Sequence, residues 1–214
     1  MESTKEVFQL PNGEVVTFIP ETHQYFIGAS EEEVPSITQL IKAVNGDSYK
    51  FVNPEKLKMS ADYGTKVHGI LDELIQLRKG GIDIEDMVND IETPQEVKNY
   101  FNKVEKLYKI EPVDTERVVV LYDEAGKPIA AGRFDLICTV DNIKTLADFK
   151  TTSSIVKNSV IAQLNLYLKA ASQSGYVLDG EIEKLGVVHL SGETARFVPI
   201  PIMGEKFLEK FMQR

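Results

Sequence analysis

Ala131-Gly132-Arg133-Phe134-Asp135-Leu136-Ile137-Cys138, followed by Leu146-Ala147-Asp148-Phe149-Lys150-Thr151-Thr152, is the stretch that decides how this chain is read. Side chains alternate across a strand, so the pattern assigns faces. In the first segment Phe134, Leu136, Cys138 and Val140 are expected on one face, with Arg133, Asp135 and Ile137 on the other. In the second, Ala147 and Phe149 share a face opposite Leu146, Asp148 and Lys150. If the hairpin closes evenly about Asp141-Asn142, Val140 faces Ile143. Asp135 then faces Asp148, Arg133 faces Lys150, and Phe134 faces Phe149. Directly opposed residues have Cβ atoms about 4.5–5.5 Å apart. Two carboxylates that close repel, and strand pairing gives no reason to place them there.

A hard divalent cation removes that penalty, because Mg²⁺ takes oxygen ligands and commonly uses one or two carboxylates plus phosphate oxygens. Lys150, two residues after Asp148, projects from the same face and could orient or deprotonate an attacking water. The set suits metal-assisted phosphodiester hydrolysis. The competing reading is a solvated cross-strand cluster of Arg133, Asp135, Asp148 and Lys150, which would contribute little. A one-residue slip in register would reverse every face.

The sequence outside the hairpin supplies helices and further strands. Val7–Leu10 and Val15–Ile19 flank the turn Pro11-Asn12-Gly13. Ser36 or Thr38 caps a helix to about Val44, and Asn53-Pro54 opens a longer one to about Lys79, with a break allowed in its middle. Asp83–Asn89 reads as a helical turn. Thr93-Pro94-Gln95-Glu96 reads as a capping box opening a helix to about Tyr108. Strands are expected at Arg117–Tyr122, Ile129–Val140 and Ile143–Lys150, then a helix over Asn158–Ser174. Strands Ile182–Leu190 and Ala195–Ile200 and a terminal helix from Gly204 complete the pattern. The expected fold class is α/β, with a mixed, mostly antiparallel central sheet flanked by helices. The chain is expected to form one domain over residues 1–214, with N-terminal strands and helix over 1–60, a core over 61–175, and C-terminal strands and helix over 176–214.

Two helices carry polar residues on apolar stripes. Gln163 and Tyr167 are one turn apart on the helix after the hairpin. An inward glutamine needs hydrogen-bond partners, so it either supports a site or sits at the rim of the stripe. On the earlier helix Gly64, His68, Leu71 and Ile75 form the apolar stripe. Gly64 suggests a close backbone approach, since glycine costs about 1 kcal/mol against alanine inside a helix. His68 is either a metal ligand through a neutral imidazole or a hydrogen-bonded core residue.

Composition sets bounds. With 214 residues, 43% hydrophobic and 27% charged, the chain has the profile of a soluble protein. No run approaches the roughly 20 apolar residues that span a bilayer, and no signal peptide is read at the N-terminus. A cytoplasmic location without membrane association is expected. One cysteine, Cys138, excludes an intramolecular disulfide and any cysteine-rich zinc or iron–sulfur site. The net charge of −9 argues against non-specific coating of DNA, but not against a metal-bridged enzyme.

The ordered set Gly64-x-x-x-His68, Gly132-x-x-Asp135, Asp148-x-Lys150 and Gln163-x-x-x-Tyr167 resembles the PD-(D/E)xK nuclease superfamily, and within it the RecB-like, phage-type exonuclease branch. The match spans about half the chain. The resemblance implies a restriction-endonuclease-like fold and a Mg²⁺- or Mn²⁺-dependent DNA exonuclease, with one or two ions, acting in recombination or repair. It implies Asp135, Asp148 and Lys150 as catalytic residues. His68, Asp135, Asp148 and the backbone carbonyl of Phe149 would be metal ligands. Gln163, Tyr167 and Arg133 would support substrate or water, and Glu116 would be a further acidic member. DNA and a recombination protein would be the partners. Members with an iron–sulfur cluster use four cysteines, so that subgroup is excluded. Val34-Pro35-Ser36-Ile37-Thr38 is similar to a segment preceding the histidine helix in some phage-type members, and the resemblance implies a contribution to DNA entry. The alternatives are a structure-specific endonuclease, or an inactive nuclease-like DNA-binding subunit.

Overall fold

The computed structural model describes residues 4–29, 32–46, 50, 52–192 and 194–213. The described residues form two sheets. The first is antiparallel, in the order β1 (Glu6–Gln9), β2 (Val15–Ile19), β3 (Gln24–Ile27) and β4 (Glu32–Val34). The second runs β5 (Ile110–Tyr122), β6 (Pro128–Val140), β7 (Ile143–Lys150), β8 (Lys184–Ser191) and β9 (Thr194–Ile200). Among the named strands of the described residues the β7–β8 pair alone is parallel. It is joined through α6 (Lys157–Gln173), as a parallel connection requires a crossover. The second sheet is the expected mixed, mostly antiparallel sheet with helices packed on it, and the N-terminal strands form a separate sheet. Tyr25 and Ile27 on β3, paired with β2, bury against Val16 and Phe18 in a core that also takes Val118, Val120 and Ala131 from the second sheet.

α1 (Ile37–Asn45) starts where its cap chemistry dictates. The Ser36 side chain accepts from Gln39 N, and Gln39 reaches back to Ser36 N at 2.7 Å. The segment before it joins the second sheet, where Ala131 N donates to Pro35 O at 3.0 Å. α2 (Pro54–Lys79) is continuous over 26 residues, with Asn53 Oδ1 accepting from Glu55 N and Lys56 N. No break interrupts it. α3 (Glu85–Asn89) follows.

The expected capping box at Thr93–Glu96 does not form. Pro94 is the N-cap of α4 (Gln95–Asn99) and makes no side-chain cap bond. Thr93 Oγ1 donates instead to Met87 O, and Glu96 accepts the Tyr63 hydroxyl at 2.7 Å. The helix continues through a π-turn, Tyr100–Val104, into α5 (Glu105–Leu107). α7 (Glu205–Met212) ends the chain's regular structure. No helix among the described residues is long and apolar enough to cross a membrane.

The second sheet separates two cores. One gathers α1, α6 and α7 around Val119, Leu121, Ala130, Phe134, Ile137 and Leu146. The other packs α2, α4 and the π-turn on Leu136, Cys138, Val140, Ala147 and Phe149. Phe134 therefore does not share a face with Leu136, contrary to simple alternation. The switch falls between the pairs Arg117↔Phe134 and Thr115↔Leu136. Glu116, between Thr115 and Arg117, has φ 51°. A left-handed residue inside a strand breaks the two-residue repeat, and this one lies at the level where the β6 side chains change from one core to the other.

Candidate metal centre

The β6–β7 hairpin closes as its turn predicts, with Val140↔Ile143 and Leu136↔Ala147 in register. The ladder ends there. The expected pairs Arg133–Lys150 and Phe134–Phe149 are not made, and Asp135–Asp148 is not a ladder pair. Asp135 Oδ2 accepts Phe149 N–H at 2.7 Å, taking the place of a strand carbonyl. A carboxylate inserted into a ladder holds the strands apart and opens a polar gap at the sheet's centre. In an extended residue N–H and C=O project to the same edge. The Phe149 carbonyl therefore faces this gap too.

Three side chains converge on the gap from three elements. His68 comes from α2, Glu116 from the bend of β5, and Asp135 from β6. One ligand atom from each lies within 4.8 Å of the other two. His68 Nδ1 is 3.4 Å from Asp135 Oδ2. Asp148 lies outside this close trio. Its carboxylate is only 2% exposed as a residue and meets Lys150 Nζ at 2.6 Å, an ion-pair distance without hydrogen-bond geometry. Of the expected ligands His68 and Asp135 come together, Glu116 joins them, and Asp148 lies against Lys150.

The electrostatics follow from burial and crowding. Burial pushes the Glu116 carboxyl up to about 8, with the Asp135 charge adding to it and His68 and Arg133 opposing. Burial pushes Asp148 up to about 6 against the pull of Lys150, and Asp135 adds to the rise. Asp135 ends below the usual carboxylate range. Burial would raise it, but His68, Lys150 and the Phe149 N–H together outweigh that. His68 ends above the usual imidazole range, because Asp135 and Asp148 outweigh its desolvation. The imidazole of His68 and the carboxylates of Glu116 and Asp135 form a donor set that could hold a divalent cation.

The surrounding residues act on this centre from behind. Gly64 brings α2 onto the turn after Lys150: a Cβ there would stand 3.3 Å from Thr151 Oγ1. Asp72, one turn past His68, accepts from Thr115 Oγ1 and so ties α2 to the bend that carries Glu116. Tyr167 lies under β6, where a Cβ on Gly132 would be 2.7 Å from its ring. Its hydroxyl, hydrogen-bonded by Gln163, is raised well above its ordinary value by burial. The Gln163–Tyr167 pair thus supports the strand that carries Asp135. Arg133 points to the first sheet. It pairs with Glu6 at 2.9 Å, lies over Phe8 and Phe18, and reaches Glu116 only at 3.9 Å.

Glu116 is the further acidic member that the resemblance implies, whereas its left-handed backbone and the place of His189 are not marked in the sequence. The close association of Glu116 with His68 and Asp135 depends on a left-handed backbone that no residue type announced. His189, buried in β8 beside Lys150, was signalled only as a histidine within the apolar run Leu185–Leu190.

No family model matches the chain, and no curated protein matches it. Among solved structures, one described as "Crystal structure of SSO0001" is similar at a TM-score of 0.42 and 14% identity, covering 86% of this chain and 75% of that one.

Proposed function

We propose that this chain is a metal-dependent deoxyribonuclease with a restriction-endonuclease-like core, acting as an exonuclease on DNA in recombination or repair. The observation that carries the reading is the pair of buried carboxylates, Asp135 and Asp148, set on parted strands with Lys150 against one and His68 and Glu116 against the other. Burying like charges together is costly unless a cation joins them. His68, Glu116 and Asp135 would hold a divalent ion, and Asp148 and the Phe149 carbonyl edge adjoin it. Bound there, the cation supplies Lewis-acid charge toward a phosphoryl oxygen. Lys150 Nζ would orient the attacking water and screen charge on the phosphate. Asp148 keeps that ammonium in place. Apolar walls from Phe149, Tyr100 and Val67 exclude bulk water from one side of the site.

The test is digestion of end-labelled linear, nicked and covalently closed circular DNA across a Mg²⁺ and Mn²⁺ titration. Metal-dependent loss of linear DNA that stops with EDTA and in Asp135→Asn or Lys150→Ala protein is expected. Undiminished cleavage in both variants would remove the mechanism. Cleavage of closed circles as fast as linear DNA would replace the exonuclease with an endonuclease.

A further inference from the structure

The parallel β7–β8 ladder ends at the pair Lys150↔His189. Beyond it the chain leaves the sheet through Thr151 and Thr152 before entering α6. The Thr152 carbonyl there has no strand to pair with. His189 Nε2 lies 2.7 Å from it. A carbonyl only accepts, so Nε2 carries the proton and donates it. The other ring nitrogen, Nδ1, is buried with no hydrogen-bond partner, and the residue is 3% exposed.

A buried imidazole with one nitrogen unpaired is a poor filler. Leu185 and Val187, its neighbours in β8, fill the adjacent core without that penalty. The ring serves a single bond, and that bond falls two residues after Lys150. From the other side α2 approaches Thr151 at Gly64, one turn before His68, where an added Cβ would stand 3.3 Å from Thr151 Oγ1. The exit of β7 therefore runs between the helix that carries His68 and the strand that carries His189, and is bonded to the latter.

We infer that His189 is a positioning residue for Lys150: its bond to the Thr152 carbonyl fixes the end of β7 and so holds the lysine against Asp148. The role of Lys150 in this statement rests on the nuclease reading above, whereas the anchoring of the segment does not.

The experiment uses the full chain as wild type, His189→Leu and His189→Gln. Mn²⁺-dependent hydrolysis of linear DNA and amide hydrogen exchange are measured on each. A glutamine amide can reach the same carbonyl and donate, and leucine cannot. In His189→Leu we expect kcat to fall about 10- to 100-fold with KM for DNA unchanged, as for a catalytic group displaced by about an ångström. Exchange should accelerate over residues 151–156 alone. His189→Gln should recover most of both. His189→Asn, whose amide is too short to reach, replaces the leucine variant if that protein does not fold, with the same expectation. Equal kcat in all variants, no difference between leucine and glutamine, or exchange that rises across the whole sheet would overturn the inference. If the wild type cleaves no DNA, the nuclease reading fails. The exchange comparison still decides the anchoring, since unchanged protection at residues 151–156 in His189→Leu would overturn it.

Discussion

Glu116 stands between the β5 residues that pair with Phe134 and Leu136, in a left-handed conformation of φ 51°, and its carboxylate converges with that of Asp135. A non-glycine residue held there costs on the order of 1–3 kcal/mol and persists only where its surroundings enforce it. The Asp72–Thr115 hydrogen bond is one such restraint. The conformation does two things at once. It switches the strand between the two cores, and it brings a third ligand atom beside those of His68 and Asp135. The architecture and the candidate site thus share one bend.

This convergence makes the metal-free protein sensitive to pH in a defined direction. Glu116 is pushed from 4.5 up to about 8 and Asp148 from 3.8 up to about 6. A carboxyl whose folded pKa is raised contributes stability that is present below its unfolded value and is lost as pH rises through the folded one. His68, also raised, acts in the same sense. Asp135, lowered, contributes stability that is lost only as pH falls, below this window. The urea midpoint of EDTA-treated protein should therefore fall between about pH 4.5 and 8. Mn²⁺ should restore it at the upper end, because the cation binds the deprotonated ligands. Glu116→Gln should flatten the upper part of the fall and weaken the recovery. A midpoint that rises across this range in wild type would contradict the assignment.

Much of this was readable from spacing. The Asp141-Asn142 turn fixed the β6–β7 register, and the caps at Ser36 and Asn53 set the starts of α1 and α2. The same counting about Ala125–Gly126 places Glu116 opposite Asp135, so that contact was available in the sequence. Its geometry was not, since glutamate rarely adopts a left-handed backbone and nothing local demands it. The first sheet was half legible. β1 and β2 flank a glycine turn, whereas β3 and β4 are only four and three residues long, too short for a clear alternation. The failed Thr93 capping box has a tertiary cause. Glu96, needed to complete it, is taken by Tyr63 from another helix.

Gly132 offers a test of how closely α6 supports the strand that carries Asp135. A Cβ added there would stand 2.7 Å from the Tyr167 ring, and that ring is held by buried neighbours and by Gln163. Gly132→Ala should destabilise the protein by about 1–3 kcal/mol, the cost of overpacking a filled core. Gly132→Ala combined with Tyr167→Phe should lose nearly as much, because the clash is with the ring and not with the hydroxyl. Urea denaturation of the three proteins checks this, and a silent Gly132→Ala would show that α6 can shift freely.

Cys138 tests the core on the opposite side of the sheet. The thiol is buried among Leu136, Val140 and the α2 helix, and burial pushes it up to about 12. Thiolate is the reactive form, so the native protein should resist a thiol reagent at neutral pH. Labelling should require unfolding, with a rate that rises in parallel with the unfolded fraction as urea is added. Fast labelling without denaturant would mean that the π-turn and α2 open well below the global transition.

Asp148 and Lys150 are coupled strongly enough to be separated by a double-mutant cycle. Asp148 is almost fully buried and raised to about 6, and its Oδ2 has Lys150 Nζ at 2.6 Å. Lys150→Ala leaves that carboxylate buried without the ammonium, and should destabilise metal-free protein by roughly 1–3 kcal/mol at neutral pH. Asp148→Asn removes the repulsion from Asp135 along with the charge, so it should match or exceed wild type in stability while losing affinity for Mn²⁺. Adding Asp148→Asn to Lys150→Ala should then recover most of the lost stability. A non-zero interaction energy in denaturation, measured without metal, assigns the coupling to the pair itself. Strictly additive effects would mean that the lysine does not hold Asp148, and the arrangement that keeps both groups at the parted strands would need another cause.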